Sequence, residues 1–172
     1  MSFQEHEKQH IEKNVKRKLT DTELQILAAE WSEHCSYKSS KKHLRMLPTT
    51  GPNVIVEKGY DSGVLDVGDG FVVTVHIESH NHPSAVEPFG GAATGVGGVI
   101  RDILSAGTRP IALFDGLRFG NIENDAHARW LFKNAVSGIA DYGNCLGIPT
   151  IGGEVELDEC YKNYALVDVA AV

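Results

Sequence analysis

Phe71-Val72-Val73-Thr74-Val75-His76-Ile77-Glu78 runs directly into Ser79-His80-Asn81-His82-Pro83. The first part is rich in β-branched residues and follows the turn-forming Asp66, Gly68, Asp69 and Gly70, so the pattern predicts a strand. Alternation puts His76, Glu78 and, where the strand continues, His80 on one face, with Ile77, Ser79 and Asn81 on the other. From His76 to His82, seven positions hold three His, one Glu, one Ser and one Asn. Sheet proteins commonly build sites at strand ends. A solvated polar loop is the plainer reading, and the density of reactive side chains weighs against it.

Downstream, Gly90-Gly91-Ala92-Ala93-Thr94-Gly95-Val96-Gly97-Gly98 contains five glycines in nine residues. It leads into a helix predicted over 95–106, with Val96, Val99, Ile100, Ile103 and Leu104 on one face. Glycines ahead of a helix start suit a phosphate, because backbone N–H groups and the helix dipole both favour an anion. The spacing matches neither G-x-G-x-x-G nor G-x-x-x-x-G-K-[ST], and close helix packing is an equal alternative. Arg101-Asp102 follows. The guanidinium could grip a phosphate, and Asp102 could share Mg2+ with Glu78, although an Arg-Asp surface pair is common.

Further out, Ala126 to Leu146 predicts a second helix, with Gly147 placed to end it and Pro149 beyond. Val54–Val56, Ile111–Phe114 and Leu166–Val172 predict further strands. Upstream, Thr20 and Glu23 have the form of a capping box opening a helix through Trp31, which fits a core position. Lys38–Leu47 predicts a short helix stopped by Pro48. The fold class is therefore mixed α/β (α+β), with an N-terminal helical segment over 1–50 and an α/β domain over 51–172.

At 172 residues the chain is long enough for one domain with a core. Sixteen basic against twenty-three acidic side chains give a formal charge of −7, which argues against a general nucleic-acid binder. Residues 1–50 hold nine Lys and Arg against seven Asp and Glu, so the acidity lies in the rest. No run of eighteen apolar residues spans a membrane, and the polar start has no secretory character. Cys35, Cys145 and Cys160 show no C-x-x-C spacing and point to a reducing compartment, with Cys145 and Cys160 expected as buried small hydrophobes. A chain that ends on an apolar strand reads as one part of a longer one.

A third cluster, Glu30-Trp31-Ser32-Glu33-His34-Cys35-Ser36-Tyr37-Lys38, sits where the capped helix ends. Its His34-Cys35 neighbours do not make a nucleophile pair, because adjacent helical side chains diverge by about 100°.

In order, Glu33–Lys38, Gly68-Asp69-Gly70, Ile77–Ser84, Glu87–Gly98 and Arg101-Asp102 resemble phosphoribosylformylglycinamidine synthase, in the N-terminal part of its synthetase subunit. The resemblance covers about residue 20 to the end. It implies a fold like the N-terminal domain of aminoimidazole ribonucleotide synthetase, with flanking helices and a sheet that joins a partner copy to form a barrel. It also implies an ATP-dependent carbon–nitrogen ligase of cytoplasmic purine biosynthesis. That enzyme converts formylglycinamide ribonucleotide to the amidine with ammonia drawn from glutamine, through an iminophosphate. Carried over by residue, His80 is the general acid/base and His34 a second catalytic histidine. Tyr37 and His76 contact ATP; Ser79, Asn81, His82 and Arg101 bind substrate; Glu78 and Asp102 hold Mg2+. At His76 the family typically carries Lys. The implied partners are a glutaminase subunit, a small bridging subunit, and either a second copy or the remainder of the same chain. A chain this short is expected not to turn over alone.

Two other readings compete. One is a non-catalytic, nucleotide-binding or dimerising fragment of that enzyme. The other is a metallohydrolase built on His80-Asn81-His82, which needs a further ligand downstream and finds only His127.

Overall fold

Thr20 makes the capping box that its spacing to Glu23 predicts. Its hydroxyl accepts from the Glu23 N–H, and the Glu23 carboxylate accepts from the Thr20 N–H at 2.9 Å. The computed structural model describes residues 4–172, so the first three residues of the predicted helical segment lie outside the described residues. The chain divides between Pro48 and Thr49 into two units.

The first unit is helical: α1 (Glu5–Val15), α2 (Asp21–Glu30), α3 (Glu33–Ser36) and α4 (Lys41–Leu44). The last is a single turn inside the longer helix expected over Lys38–Leu47. Among the described residues of this unit, Ile11 is the buried apolar side chain, and Glu7, also buried, accepts from Lys38 Nζ at 2.6 Å. Trp31, expected in a core, is exposed, because short helices that bury so little provide no layer to cover it.

The second unit holds β1 (Val54–Val56), β2 (Gly63–Gly68), β3 (Phe71–Ser79), α5 (Asn81–Val86), α6 (Pro88–Ser105), β4 (Leu113–Phe119), α7 (Ala126–Leu146), β5 (Thr150–Leu157) and β6 (Ala165–Ala171). One six-stranded sheet runs in the order β1-β2-β3-β6-β4-β5. β4 and β5 pair in parallel through the α7 crossover, and the other neighbours are antiparallel. Partway along, β3 changes partner: Phe71 to Val75 pair with β2, and His76 to Ser79 pair with β6.

α6 and α7 cover one face. Val96, Val99, Ile103, Leu131 and Ala135 pack there against Leu113, Phe119, Val167, Val169 and Ala171, each fully buried. The alternation of β6, with Ala165, Val167, Val169 and Ala171 inward, is that of a strand half covered.

Two expectations change here. The glycine cluster is no loop before a helix, because it lies inside α6. Pro88 occupies the first turn, and the Glu87 carboxylate caps the helix by accepting from Gly90 N–H at 2.6 Å. Glycine's poor helix propensity is overridden by packing: a Cβ at Gly97 would lie 2.9 Å from the Tyr142 ring, and one at Gly138 2.1 Å from the Phe89 carbonyl oxygen. Cys145 and Cys160, expected to be buried, are exposed, on the outer side of α7 and in a 3-10 turn. Leu104, assigned to the core face of α6, is also exposed.

Candidate functional site

β3 points Thr74, His76 and Glu78 at α6 and leaves Val75, Ile77 and Ser79 on the opposite face. The helix answers with a matching row. Gly95 lies against His80, Gly98 against Glu78, and Asp102 against His76. Positions 95, 98 and 102 follow helical spacing, while 80, 78 and 76 follow strand spacing, so the two elements run past each other in opposite senses.

The row depends on absent side chains. A Cβ at Gly98 would lie 1.6 Å from Glu78 Oε1, and one at Gly95 would lie 3.1 Å from His80 Cβ. Glycine lets the Glu78 carboxylate lie directly on the helix backbone. His76 Nε2 is 3.1 Å from Asp102 Oδ2 and 3.8 Å from Glu78 Oε2. The shorter approach is not aligned as a hydrogen bond, and Nε2 is buried without a partner. One ligand atom from each of His76, Glu78 and Asp102 falls within 4.8 Å of the others, which is the cluster able to hold a metal ion among the described residues. Two carboxylates with open sides fit a divalent cation that also takes phosphate oxygens.

β3 ends at Ser79, so His80 is not a strand residue. It stands ahead of α5, its N–H donating to Val167 O at 2.7 Å and its carbonyl accepting from Ser84 Oγ at 2.5 Å. The backbone is therefore held at both ends of the peptide, while the ring's Nδ1 is buried without a partner. Asn81 Oδ1 accepts from Val167 N–H at 2.8 Å, tying α5 to β6. Ser79 lies opposite Asp168 across the β3–β6 ladder. His82 and Arg101 are exposed. His80 and His82 gather no third metal ligand among the described residues, and His127 is committed to the first turn of α7.

His34 and Tyr37 belong to the helical unit and are described within it. His34 lies in α3, and Tyr37 ends that helix in the left-handed region with φ 51°. The turn is fastened by Glu33, whose carboxylate accepts from Ser39 N–H and Ser40 N–H at 2.9 Å and from both serine hydroxyls. These bonds, the Ser40 hydroxyl first, hold the Glu33 carboxyl down at about 2.

A second polar group lies on the uncovered face of the sheet. Arg118 pairs there with Glu154, with Glu156 at 3.2 Å and with Asp168 at 3.7 Å. Asp115, opposite inward-facing Val169 in the β4–β6 ladder, points instead to the helix side, its Oδ1 buried without a partner. Burial pushes both Asp115 and Asp168 up, the Arg118 charge opposing it at Asp168. Sequence reading missed this group, because β5 was not predicted and its register against β4 brings Glu154 and Glu156 to Arg118. It also missed Gly95 and Gly98 as the bed of the site, although their spacing to Asp102 was available in the sequence.

Residues 59–172 match the family described as AIR synthase related protein, N-terminal domain. The chain belongs to that family. Residues 1–38 match the formylglycinamide ribonucleotide amidotransferase linker domain. A phosphoribosylformylglycinamidine synthase subunit PurL from Pyrococcus furiosus is 53% identical over 97% of this chain and 24% of its own length. Thermotoga maritima PurL complexed with FGAR superposes with a TM-score of 0.80 at 43% identity, over 98% of this chain and 25% of that one. The same protein complexed with ATP gives 0.74 at 41% identity, over 98% and 26%. A third structure, PurLQS from Thermotoga maritima, gives 0.75 at 44% identity, over 95% and 25%. The chain thus spans about a quarter of the length of the relatives it matches.

Proposed function

We propose that the chain forms the N-terminal part of a phosphoribosylformylglycinamidine synthase, an ATP-dependent ligase that makes an amidine from formylglycinamide ribonucleotide and ammonia. The observation that carries this reading is the row in which α6 lays Gly95, Gly98 and Asp102 against His80, Glu78 and His76. It places a histidine fixed through its backbone beside a carboxylate pair, which is what proton transfer beside a phosphoryl group requires. The FGAR and ATP complexes of Thermotoga maritima PurL support the same substrates for this chain.

Within it, Glu78 and Asp102 hold Mg2+, which screens phosphate charge when bound. His80 moves a proton to or from the attacking nitrogen or the formamide oxygen, and His34 is a second catalytic histidine. Tyr37 and His76 contact ATP. Ser79, Asn81, His82 and Arg101 bind substrate, with exposed Arg101 suited to a ribonucleotide phosphate. Asn81 does so from a side chain whose oxygen is already engaged by Val167, leaving its amide donors.

The uncovered sheet face supports a pairing with a second copy or with the rest of the same polypeptide: Ile77, Phe114, Ile151 and Phe71 are exposed there or along the hairpin. The PurLQS assembly of Thermotoga maritima supports a glutaminase subunit and a small bridging subunit as partners. Three free cysteines accord with a cytoplasmic protein, and among the described residues no helix is long and apolar enough to cross a membrane.

The test is amidine formation by the full-length enzyme with formylglycinamide ribonucleotide, ATP, Mg2+ and an ammonium salt. His80→Ala is expected to lower turnover by about 10²–10⁴-fold. Unchanged turnover in a folded variant refutes the role of His80. No amidine from the wild-type full-length protein refutes the ligase reading.

A further inference from the structure

We propose that His76 is a metal ligand, its Nε2 joining the Glu78 and Asp102 carboxylates so that the site takes a transition ion of the Mn2+, Co2+ or Zn2+ class. This rests on the reading that the two carboxylates hold a divalent cation. It goes further by moving His76 from the nucleotide to the ion and by changing which ions the site favours.

A buried polar atom without a hydrogen-bond partner is uncommon and calls for a reason. His76 Nε2 is buried and unpartnered even though Asp102 Oδ2 lies only 3.1 Å away. The obvious economy, an aligned histidine–aspartate hydrogen bond, is not made. Instead the nitrogen and two carboxylate oxygens converge on one region, all within 4.8 Å of one another.

The His76–Asp102 separation matches neighbouring ligands on one ion, and the His76–Glu78 separation is somewhat wider. Metal–ligand bonds of about 2.1 Å put neighbouring ligand atoms about 3.0 Å apart in an octahedron and about 3.4 Å apart in a tetrahedron. His76 Nε2 stands 3.1 Å and 3.8 Å from the nearest Asp102 and Glu78 oxygens. A water would satisfy the nitrogen but would leave two carboxylates facing each other unneutralised. A cation answers both.

The residue types then choose the ion. Oxygen-only sets suit Mg2+ and Ca2+, whereas an imidazole nitrogen favours the borderline ions. The ligands are also held in advance. His76 and Glu78 are fixed by alternation on β3, Asp102 by its turn of α6, and Gly98 keeps the Glu78 carboxylate against the helix.

The full-length protein is titrated with MnCl2 alone, free ion being read by electron paramagnetic resonance and bound ion by electron spin-echo modulation. The expected result is nitrogen modulation from bound Mn2+ that changes when histidine is labelled with 15N. It disappears in His76→Ala and His76→Gln, with Mn2+ affinity falling on the order of tenfold and Mg2+ affinity changing by less than about twofold. Mn2+ bound in a Glu78-dependent manner without nitrogen modulation overturns the His76 assignment and leaves the carboxylate reading intact. Binding that is absent, or indifferent to Glu78→Gln, overturns both. The 15N comparison on wild-type protein decides the nitrogen question even where a His76 variant does not fold.

Discussion

Under α6 and α7, Leu113, Val167, Val169 and Ala171 are fully buried, whereas through the same sheet Ile77, Phe114 and Ile151 are exposed. Both faces are built from the alternation of the same strands. On one side apolar surface meets two long helices. On the other it meets none, and it carries Asp168 and Arg118 among the apolar residues. The covered face is complete within this chain, and the uncovered face is complementary to something else. The proposed site sits on the covered side, where α6 lies over the end of β3, so its first shell is set by packing internal to the chain.

The widest gap between the faces is expected in truncations. Leu131→Ala, at a fully buried position, is expected to destabilise the sheet unit by about 2–5 kcal/mol in urea unfolding. Ile151→Ala, exposed on the other face, is expected to change it by less than about 0.5 kcal/mol in this chain. A loss at Ile151 approaching that at Leu131 breaks the comparison.

Two added methyl groups sharpen it within the covered layer. Gly138→Ala meets the Phe89 carbonyl oxygen at 2.1 Å, a backbone atom that cannot step aside, and is expected to cost about 1–3 kcal/mol. Gly98→Ala meets only the end of the Glu78 side chain. It is expected to leave unfolding nearly unchanged and to weaken divalent-ion binding on the order of tenfold, measured by calorimetry. Equal ion affinity with lost stability reverses that assignment.

The smallest effects are in pH. Burial raises Asp115 and Asp168, so the fold favours their protonated forms. Their contribution is present below the ordinary carboxyl value of 3.8 and is lost as pH rises through their higher folded values. Asp115→Asn is therefore expected to raise the thermal midpoint at pH 7 more than at pH 3. Glu33 runs the opposite way. Lowered from 4.5 to about 2, it stabilises its turn above 4.5 and loses that as pH falls toward about 2. Carboxyl chemical shifts followed by NMR are expected to show Glu33, like Glu23, titrating well below an ordinary glutamate on acidification.

Much of this was legible in the sequence. Ala126 to Leu146 predicts α7 to the residue, because its apolar spacing is regular and Gly147 ends it in the left-handed region. The turn before β3 and the capping box at Thr20 are local, and local chemistry reads well. Glu78 with Asp102 was also read as a pair, from residue type and the resemblance. What failed was non-local. Glycines that look like a loop form a helix because Tyr142 lies against Gly97 and the Pro83–Ser84 backbone against Gly91, and nothing within the stretch announces those neighbours. β2 and β5 were missed because Gly63, Gly68, Gly152 and Gly153 give their stretches weak strand propensity, while pairing with β3 and β4 makes them strands.

The change of partner along β3 has a mechanical consequence. Through its ladder with β2, the β1–β2 hairpin is attached to Phe71–Val75 alone, while His76–Ser79 is clamped by β6. Amide hydrogen exchange should therefore step abruptly between Val75 and His76, fast where one exposed ribbon must open and slow where the central sheet must. The hairpin can breathe, be exchanged or be remodelled without carrying the reactive end of the strand along with it.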